Sequence, residues 1–194
     1  MDITSYLLGK KASGGGGSGL DWSAIGYNET PQGIIDIYDY SKQIYDNWNN
    51  VSDLSYKFQD NSDLIIFPLV DTSNATSMLS MFYNCTSITS IPLLDTSKVE
   101  QMRFMFNGAT SLKTIPQFNT SSLTRISSAF TGVNKLTDES LDNILKMCIN
   151  INPNYTRAKT LSELGLTSSY YPASRIQALP SYNDFIDAGW TIGY

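Results

Sequence analysis

Apolar side chains recur every 24 positions through the middle of the chain. Phenylalanine fills one such column at Phe82, Phe106 and Phe130, and an Asp-Thr-Ser or Asn-Thr-Ser triplet begins at positions 71, 95 and 119. The spacing extends backwards to Phe58, so the array covers about residues 49–137. A strict repeat of this kind is typical of proteins in which each unit stacks its apolar residues on those of the next.

The repeat predicts an α/β repeat solenoid, namely a short leucine-rich-repeat-type β-solenoid of about 24-residue units with helical N- and C-terminal caps. Two extended pieces per unit are predicted, for example over 75–81 and 87–92, with alternating apolar residues in the piece over 87–92. The Asp-Thr-Ser triplet is predicted to be a structural corner, because its short polar side chains can satisfy backbone donors locally.

The chain before the array divides into an arm and a cap. Residues 1–19 form a separate unit, because the Gly-rich run over 14–19 is a flexible tether. This run is either an engineered linker or a disordered tail, or it is the natural tether of a docking peptide. Residues 20–48 are predicted to form an N-terminal helical cap, since apolar residues over 34–48 recur at spacings of three and four.

A docking peptide would seat an apolar strip in a groove of its partner and place lysines against acidic groups at the rim. The residues predicted to anchor the chain in this way are Ile3, Tyr6, Leu7, Leu8, Lys10 and Lys11.

The chain after the array is predicted to form a C-terminal helical cap over 138–194. Its first helix begins after Thr137, where acidic residues precede an apolar stripe. A capping-box pattern over 160–163 predicts a second short helix that ends at Gly165, and 181–189 predicts a third.

Composition and charge narrow the possible functions. The chain has 13 Lys plus Arg, 18 Asp plus Glu, a formal net charge of −5 and no histidine. Without histidine it has no Ser-His-Asp or Cys-His arrangement and no imidazole zinc site, so most hydrolase mechanisms are excluded. An acidic balance without a basic block argues against nucleic acid as a partner. The sequence has no apolar run long enough to span a membrane and no secretory signal pattern at its start.

The two cysteines are predicted to be packed core residues. The positions 24 and 48 residues after Cys85 are Ala109 and Val133, so this column takes small apolar side chains, and Cys148 falls on the apolar stripe of the first C-terminal helix. Each Asp-Thr-Ser corner offers one carboxylate, whereas calcium takes about six to eight oxygen ligands. We therefore expect no metal and no cofactor.

The repeat resembles the BspA-like leucine-rich repeats of bacterial surface proteins. The resemblance covers 47–136 and rests on Met-Phe-Xaa-Xaa-Cys at 81–85 and Ser-Ile-Xaa-Xaa-Ile-Pro at 87–92. It implies an adhesin or ligand-binding scaffold rather than an enzyme, although a fold alone does not fix a function. Separately, Ile3–Lys11 with its tether and Leu20–Tyr27 resemble the starts of virion structural proteins in tailed bacteriophages of Gram-positive hosts.

These resemblances imply a non-enzymatic phage virion protein, such as a head or tail fibre or a decoration protein. Its N-terminal peptide would attach to a capsid, portal, tail or fibre protein, and several copies would be assembled in the host cytoplasm. The repeats would bind a host surface glycan or protein. The alternative is a BspA-like adhesin on a bacterial cell surface. A third possibility is a glycosidase with a pair of carboxylates, for which the sequence offers Asp36, Asp39, Asp60 and Asp63.

A ligand surface is predicted at repeat positions that vary while the apolar columns stay fixed. Tyrosine is abundant, with 12 residues, and aromatic side chains suit contacts to both sugars and proteins. An isolated aromatic residue on a surface can equally have no function. The predicted residues are Tyr83, Lys98, Arg103, Phe104, Asn107 and Lys113.

Overall fold

The structure, a computed structural model, describes residues 51–67 and 70–194. Its repeats stack through backbone hydrogen bonds that join corresponding turns of successive units. The amide of Tyr56 donates to the carbonyl of Leu79 at 2.9 Å, and the amide of Ser80 donates to the carbonyl of Arg103 at 2.9 Å. These bonds keep the 24-residue register that the sequence predicts.

The predicted fold class, an α/β repeat solenoid with β-strands, is wrong. The described residues contain no strand or sheet, and the ladder pairing between repeats is limited to isolated parallel bridges. One row of bridges joins Asp53, Ser77, Gln101 and Arg125, and a second row joins Ile66, Ser90 and Thr114. The predicted extended pieces over 75–81 and 87–92 therefore contribute one bridging residue each.

Backbone conformation explains why the pieces stay this short. Three residues after each bridge of the first row, the chain enters the left-handed region, with φ of 63° at Tyr56, 53° at Ser80 and 57° at Phe104. A strand cannot continue through such a residue. In the second row, Pro92 and Pro116 follow the bridges and lack the N–H that a longer ladder needs.

The apolar columns form one continuous core. Phe58, Phe82, Phe106 and Phe130 stack ring on ring, with centroids 5.6, 5.6 and 5.7 Å apart. All four side chains are buried, as are the Met, Ile and Leu residues of the neighbouring columns. The prediction that each unit buries its apolar residues against the next unit is confirmed by these contacts.

Within the described residues, helices occur only after the repeats: α1 Asp138–Ile149, α2 Ala173–Gln177 and α3 Tyr182–Asp187. Helix α1 begins where predicted, because the Thr137 side chain accepts a hydrogen bond from the amide of Ser140 at 3.2 Å. Helix α3 also agrees with its prediction, whereas α2 was not predicted. The predicted N-terminal arm and helical cap, residues 1–48, lie outside the described residues.

The helix predicted from the capping-box pattern at 160–163 is wrong. The Thr160 side chain does accept from the amide of Glu163 at 3.1 Å, but the segment is a turn in which Gly165 has φ +87°. This turn extends the repeat stack instead. The amide of Ser128 donates to the carbonyl of Glu163 at 2.7 Å, and that of Phe130 donates to the carbonyl of Leu164 at 2.8 Å. The last repeat thus finds its backbone partners more than thirty residues downstream.

Among the described residues, no helix is both long and apolar enough to cross a membrane.

Candidate ligand-binding surface

The Asp-Thr-Ser corners are structural joints between repeats. The amide of Ser97 donates to Oδ1 of Asp95 at 3.0 Å, and its hydroxyl donates to the same oxygen at 2.7 Å. These two bonds lower the pKa of Asp95. The buried hydroxyl of Thr96 donates to the carbonyl of Asn119 in the next corner at 2.8 Å. The polar groups of each corner therefore form hydrogen bonds within the repeat stack and serve its structure.

Both cysteines are buried free thiols, as predicted for packed core residues. Burial raises the pKa of Cys85 to about 12, and its thiol donates to the carbonyl of Phe58 at 3.0 Å. Burial also raises the pKa of Cys148. Because the thiolate is the reactive form, neither residue is suited to nucleophilic chemistry.

Of the four carboxylates considered for a glycosidase, the structure describes Asp60 and Asp63, and both are exposed. Oδ2 of Asp60 accepts from Gln59 at 3.0 Å and Oδ1 accepts from Asn84 at 2.9 Å, and these bonds lower the pKa of this exposed carboxyl. A general acid needs a raised pKa instead. Asp36 and Asp39 lie outside the described residues. The described part of the chain also contains no group of three or more Cys, Asp or Glu side chains that could hold a metal ion.

The backbone turns at the left-handed residues present one surface with a variable set of side chains, which we call the turn face. Here the repeats differ in side chain while their backbone hydrogen bonds are the same. Its members are Tyr56, Leu79, Tyr83, Arg103, Phe104, Asn107 and Ser127.

Several of the predicted ligand residues lie on the turn face. The guanidinium carbon of Arg103 lies 5.2 Å from the ring centroid of Phe104, a cation–π contact. Tyr83 and Asn107 share a column in adjacent repeats, and the amide of Asn84 donates to the carbonyl of Asn107 at 2.8 Å. All four predicted residues are half-buried, so they have fixed surroundings as well as access to solvent.

The two predicted lysines lie in other columns. Nζ of Lys98 donates to Oδ1 of Asn74 at 3.1 Å beside the Asp-Thr-Ser corner. Lys113 is exposed next to the second row of bridges, where its amide donates to the carbonyl of Thr89 at 2.9 Å. The anchoring residues of the predicted docking peptide, from Ile3 to Lys11, lie outside the described residues.

The sequence prediction missed Tyr56 and Leu79 on this face. Tyr56 is 54% exposed, although it is large and apolar. It lies two repeats before Phe104, so stepping back by 48 residues from Phe104 could have found it. Leu79 lies one repeat before Arg103 in the same way. Both residues could have been predicted from the variation of side chains within their columns. This requires extending the columns back to the first repeats, where the sequence is less regular.

Comparison with known proteins identifies a family for the repeat region. A family model described as Mycoplasma protein of unknown function, DUF285, matches residues 52–163, which is more than half of the chain. This domain is found in BspA-like surface proteins. The match begins in the first described repeat and ends at Glu163, whose carbonyl accepts from Ser128 of the last repeat. No curated protein and no solved structure matches the chain.

Proposed function

We propose, from the premise that this chain belongs to the DUF285 family of Mycoplasma proteins of unknown function, that it is a non-enzymatic binding protein. Its repeats hold the turn face rigid, and that face recognises a partner on a cell surface. The occurrence of the domain in BspA-like surface proteins supports a location at a bacterial surface and a role in adhesion.

The observation that carries the proposal is the contrast between two neighbouring columns. The inner column is phenylalanine in every described repeat, as Phe58, Phe82, Phe106 and Phe130. Two residues earlier, the left-handed column reads Tyr56, Ser80, Phe104 and Ser128. The second column keeps its left-handed backbone while its side chains change, from the exposed ring of Tyr56 to the buried Ser80. Variation in side chain on a repeated backbone supports a surface whose specificity depends on the side chains that reach solvent.

A binding role also agrees with the chemistry of the described residues. Burial raises the pKa of both thiols, and hydrogen bonds lower the pKa of Asp60. The half-buried rings of Tyr83 and Phe104 instead suit contact with the flat apolar face of a sugar or with a protein side chain. A host surface glycan or protein is therefore the proposed partner.

Retention of the full chain on defined probes tests this proposal. Labelled protein would be applied to an array of immobilised glycans and to purified cell walls of Gram-positive bacteria, and the probes would be analysed by mass after prolonged incubation. We expect saturable retention with no change in probe mass. Release of shortened glycans would contradict the non-enzymatic role, and no retention on any probe would contradict the binding role.

A second candidate function is attachment to a virion through the N-terminal peptide. It rests on the segment Ile3–Lys11, whose apolar strip and two lysines precede a Gly-rich tether. Such a leash separates an anchoring peptide from the repeats that it displays. In this arrangement, the peptide would bind a capsid, portal, tail or fibre protein, and several copies would display the repeats outwards.

Co-sedimentation distinguishes the two candidates. Full-length protein and a variant lacking residues 1–19 would be mixed with tailed phage particles assembled without this gene product. Attachment of the full-length protein alone is the result expected for a virion anchor. Equal attachment of both proteins would contradict the anchor, and attachment of neither would leave adhesion at a bacterial surface as the proposed role.

A further inference from the structure

Two arginines occupy neighbouring positions on adjacent repeats. The geometry of this pair of positions is given by Ser55 and Ser77 in the first described repeats, whose hydroxyl oxygens lie 2.8 Å apart. Two repeats later, the corresponding residues are Arg103 and Arg125, each 48 positions further along the chain. Side chains at these two positions therefore emerge next to each other.

The backbone around the arginines repeats the geometry around the serines. The amide of Leu54 donates to the carbonyl of Ser77 at 2.9 Å, and the amide of Met102 donates to the carbonyl of Arg125 at 2.8 Å. A parallel bridge joins Asp53 to Ser77, and another joins Gln101 to Arg125. The register that brings the two hydroxyls together is thus present at the two arginines.

Neither arginine has an acidic partner in the part of the chain that the structure describes. The ion pairs there are Lys146 with Asp142 and Arg175 with Asp138. Nε of Arg103 is buried without a hydrogen-bond partner, and its guanidinium lies against the ring of Phe104. Arg125 is exposed. Two adjacent cations on a chain of net charge −5 oppose each other unless an anion joins them.

We infer that Arg103 on the turn face and Arg125 in the adjacent column of bridging residues form an oxyanion-binding site, which takes an acidic group of a glycan. The inference rests on the proposed binding function and names its ligand class. Guanidinium groups form paired hydrogen bonds to carboxylate, sulfate or phosphate oxygens. The half-buried rings of Phe104 and Tyr83 lie on the same face and suit the apolar side of the attached sugar ring. This combination favours an acidic glycan over an acidic peptide.

Binding to defined polymers tests the site. The full chain and the variants R103Q and R125Q would be titrated with four polymers. These are hyaluronate, which carries carboxylates, dextran sulfate, neutral dextran, and polyglutamate as an acidic peptide. The matched control is R157Q, an exposed arginine beyond α1. We expect the wild type to bind at least one acidic polymer and not neutral dextran. Each of R103Q and R125Q should weaken that binding by about tenfold or more, while R157Q stays within about twofold.

The ratio of the affinities for hyaluronate and dextran sulfate shows whether the site prefers a carboxylate or a sulfate. R125Q should unfold at an unchanged or higher temperature, because it removes a like-charge contact, so its loss of binding is separable from a loss of folding.

Equal binding of acidic polymers by wild type, R103Q and R125Q would overturn the arginine site and leave the binding function standing. Preferential binding of neutral dextran or of polyglutamate would overturn the acidic-glycan assignment in the same way. If the wild type bound neither these polymers nor any probe on the glycan array or cell walls, both the site and the proposed function would be contradicted.

Discussion

A Cβ atom placed on Gly108 would lie 2.2 Å from Oδ1 of Asn84, its counterpart one repeat earlier. The same amide group donates from Nδ2 to Oδ1 of Asp60 at 2.9 Å, one repeat earlier again. All three residues have positive φ, at 62° for Asp60, 56° for Asn84 and 80° for Gly108. In this column of turns, a side-chain hydrogen bond joins Asn84 to Asp60, and Gly108 leaves room for the Asn84 side chain.

Gly108→Ala should destabilise the protein more than Gly132→Ala. Gly132 has φ +79°, but the nearest atoms to a Cβ there lie 3.7 Å away. Both substitutions incur the left-handed backbone cost of about 1–2 kcal/mol. G108A also displaces the Asn84 side chain from its hydrogen bond to Asp60, which adds about 1 kcal/mol. Urea unfolding measures the difference. Equal free energies of unfolding for the two variants would contradict the close contact with Asn84.

Phe106→Leu should lower the free energy of unfolding by about 2 kcal/mol, because it removes stacking on the rings of Phe82, Phe118 and Phe130. Each such contact is worth about 0.5–1.5 kcal/mol. The ring of Phe106 stacks on Phe82 at 5.6 Å and on Phe130 at 5.7 Å. Phe104→Leu is the matched control, because Phe104 lies two positions away on the turn face, and its effect should stay within about 0.5 kcal/mol. A larger loss for F104L than for F106L in urea unfolding would contradict the stacked core.

The ionised carboxylate of Asp142 should contribute to the free energy of unfolding at neutral pH and lose this contribution in acid. Burial alone would raise the pKa of Asp142, but hydrogen bonds from Lys146 at 2.8 Å and from the amide of Ser181 at 2.8 Å outweigh it and lower the pKa below its ordinary value of 3.8. Because the folded-state pKa is the lower one, the contribution is complete above the unfolded-state pKa and is lost as pH falls through the folded-state value.

Asp142→Asn should therefore lower the free energy of unfolding at neutral pH by about 2 kcal/mol. It should also flatten the fall in stability below pH 3.8. Asp187→Asn, an exposed position at the end of α3, is the control. Urea unfolding at several pH values provides the measurement. A pH dependence of D142N that is identical to that of the wild type would show that this carboxylate does not contribute.

Both thiols should be unreactive in the folded protein. Cys85 and Cys148 are buried and free, and burial raises the pKa of each. A chromogenic disulfide reagent at pH 8 should find no accessible thiol in the native protein and both thiols after unfolding. Rapid labelling of the native protein would contradict the packing of these two columns.

The register of the fold could be predicted from the sequence because identical columns must stack. The spacing of Phe82, Phe106 and Phe130 was sufficient to place them in one core. The absence of strands could not be predicted in the same way. It depends on left-handed backbone at Tyr56, Ser80 and Phe104, residue types that give no sign of such a conformation.

The C-terminal cap shows a similar limit. The capping-box residues over 160–163 were recognised, but a local pattern does not reveal that this turn supplies carbonyls to the last repeat. Those hydrogen bonds join residues that helix α1 separates in the chain. Tertiary contacts therefore decided between helix and turn.

The candidate site was predicted in part. Variation within the columns identified Arg103 and Phe104, which lie in contact on the turn face. Arg125 was not predicted, because it lies in a different column from Arg103 and in the next repeat. Only the backbone register of the structure shows that the two positions are neighbours. The predicted lysines Lys98 and Lys113 lie outside this face. They were included because variation within a column indicates that it is exposed, but not on which face of the repeat stack it lies.

The turn face is the proposed binding surface for the partner. Retention on the glycan array and cell walls should be compared for wild type, Phe104→Ser and Leu93→Ser. Leu93 is the matched control, since it is 62% exposed and lies in the segment after the second row of bridges. We predict that F104S lowers retention by about tenfold or more and that L93S retains wild-type binding. Unchanged retention of F104S together with a loss in L93S would contradict the account.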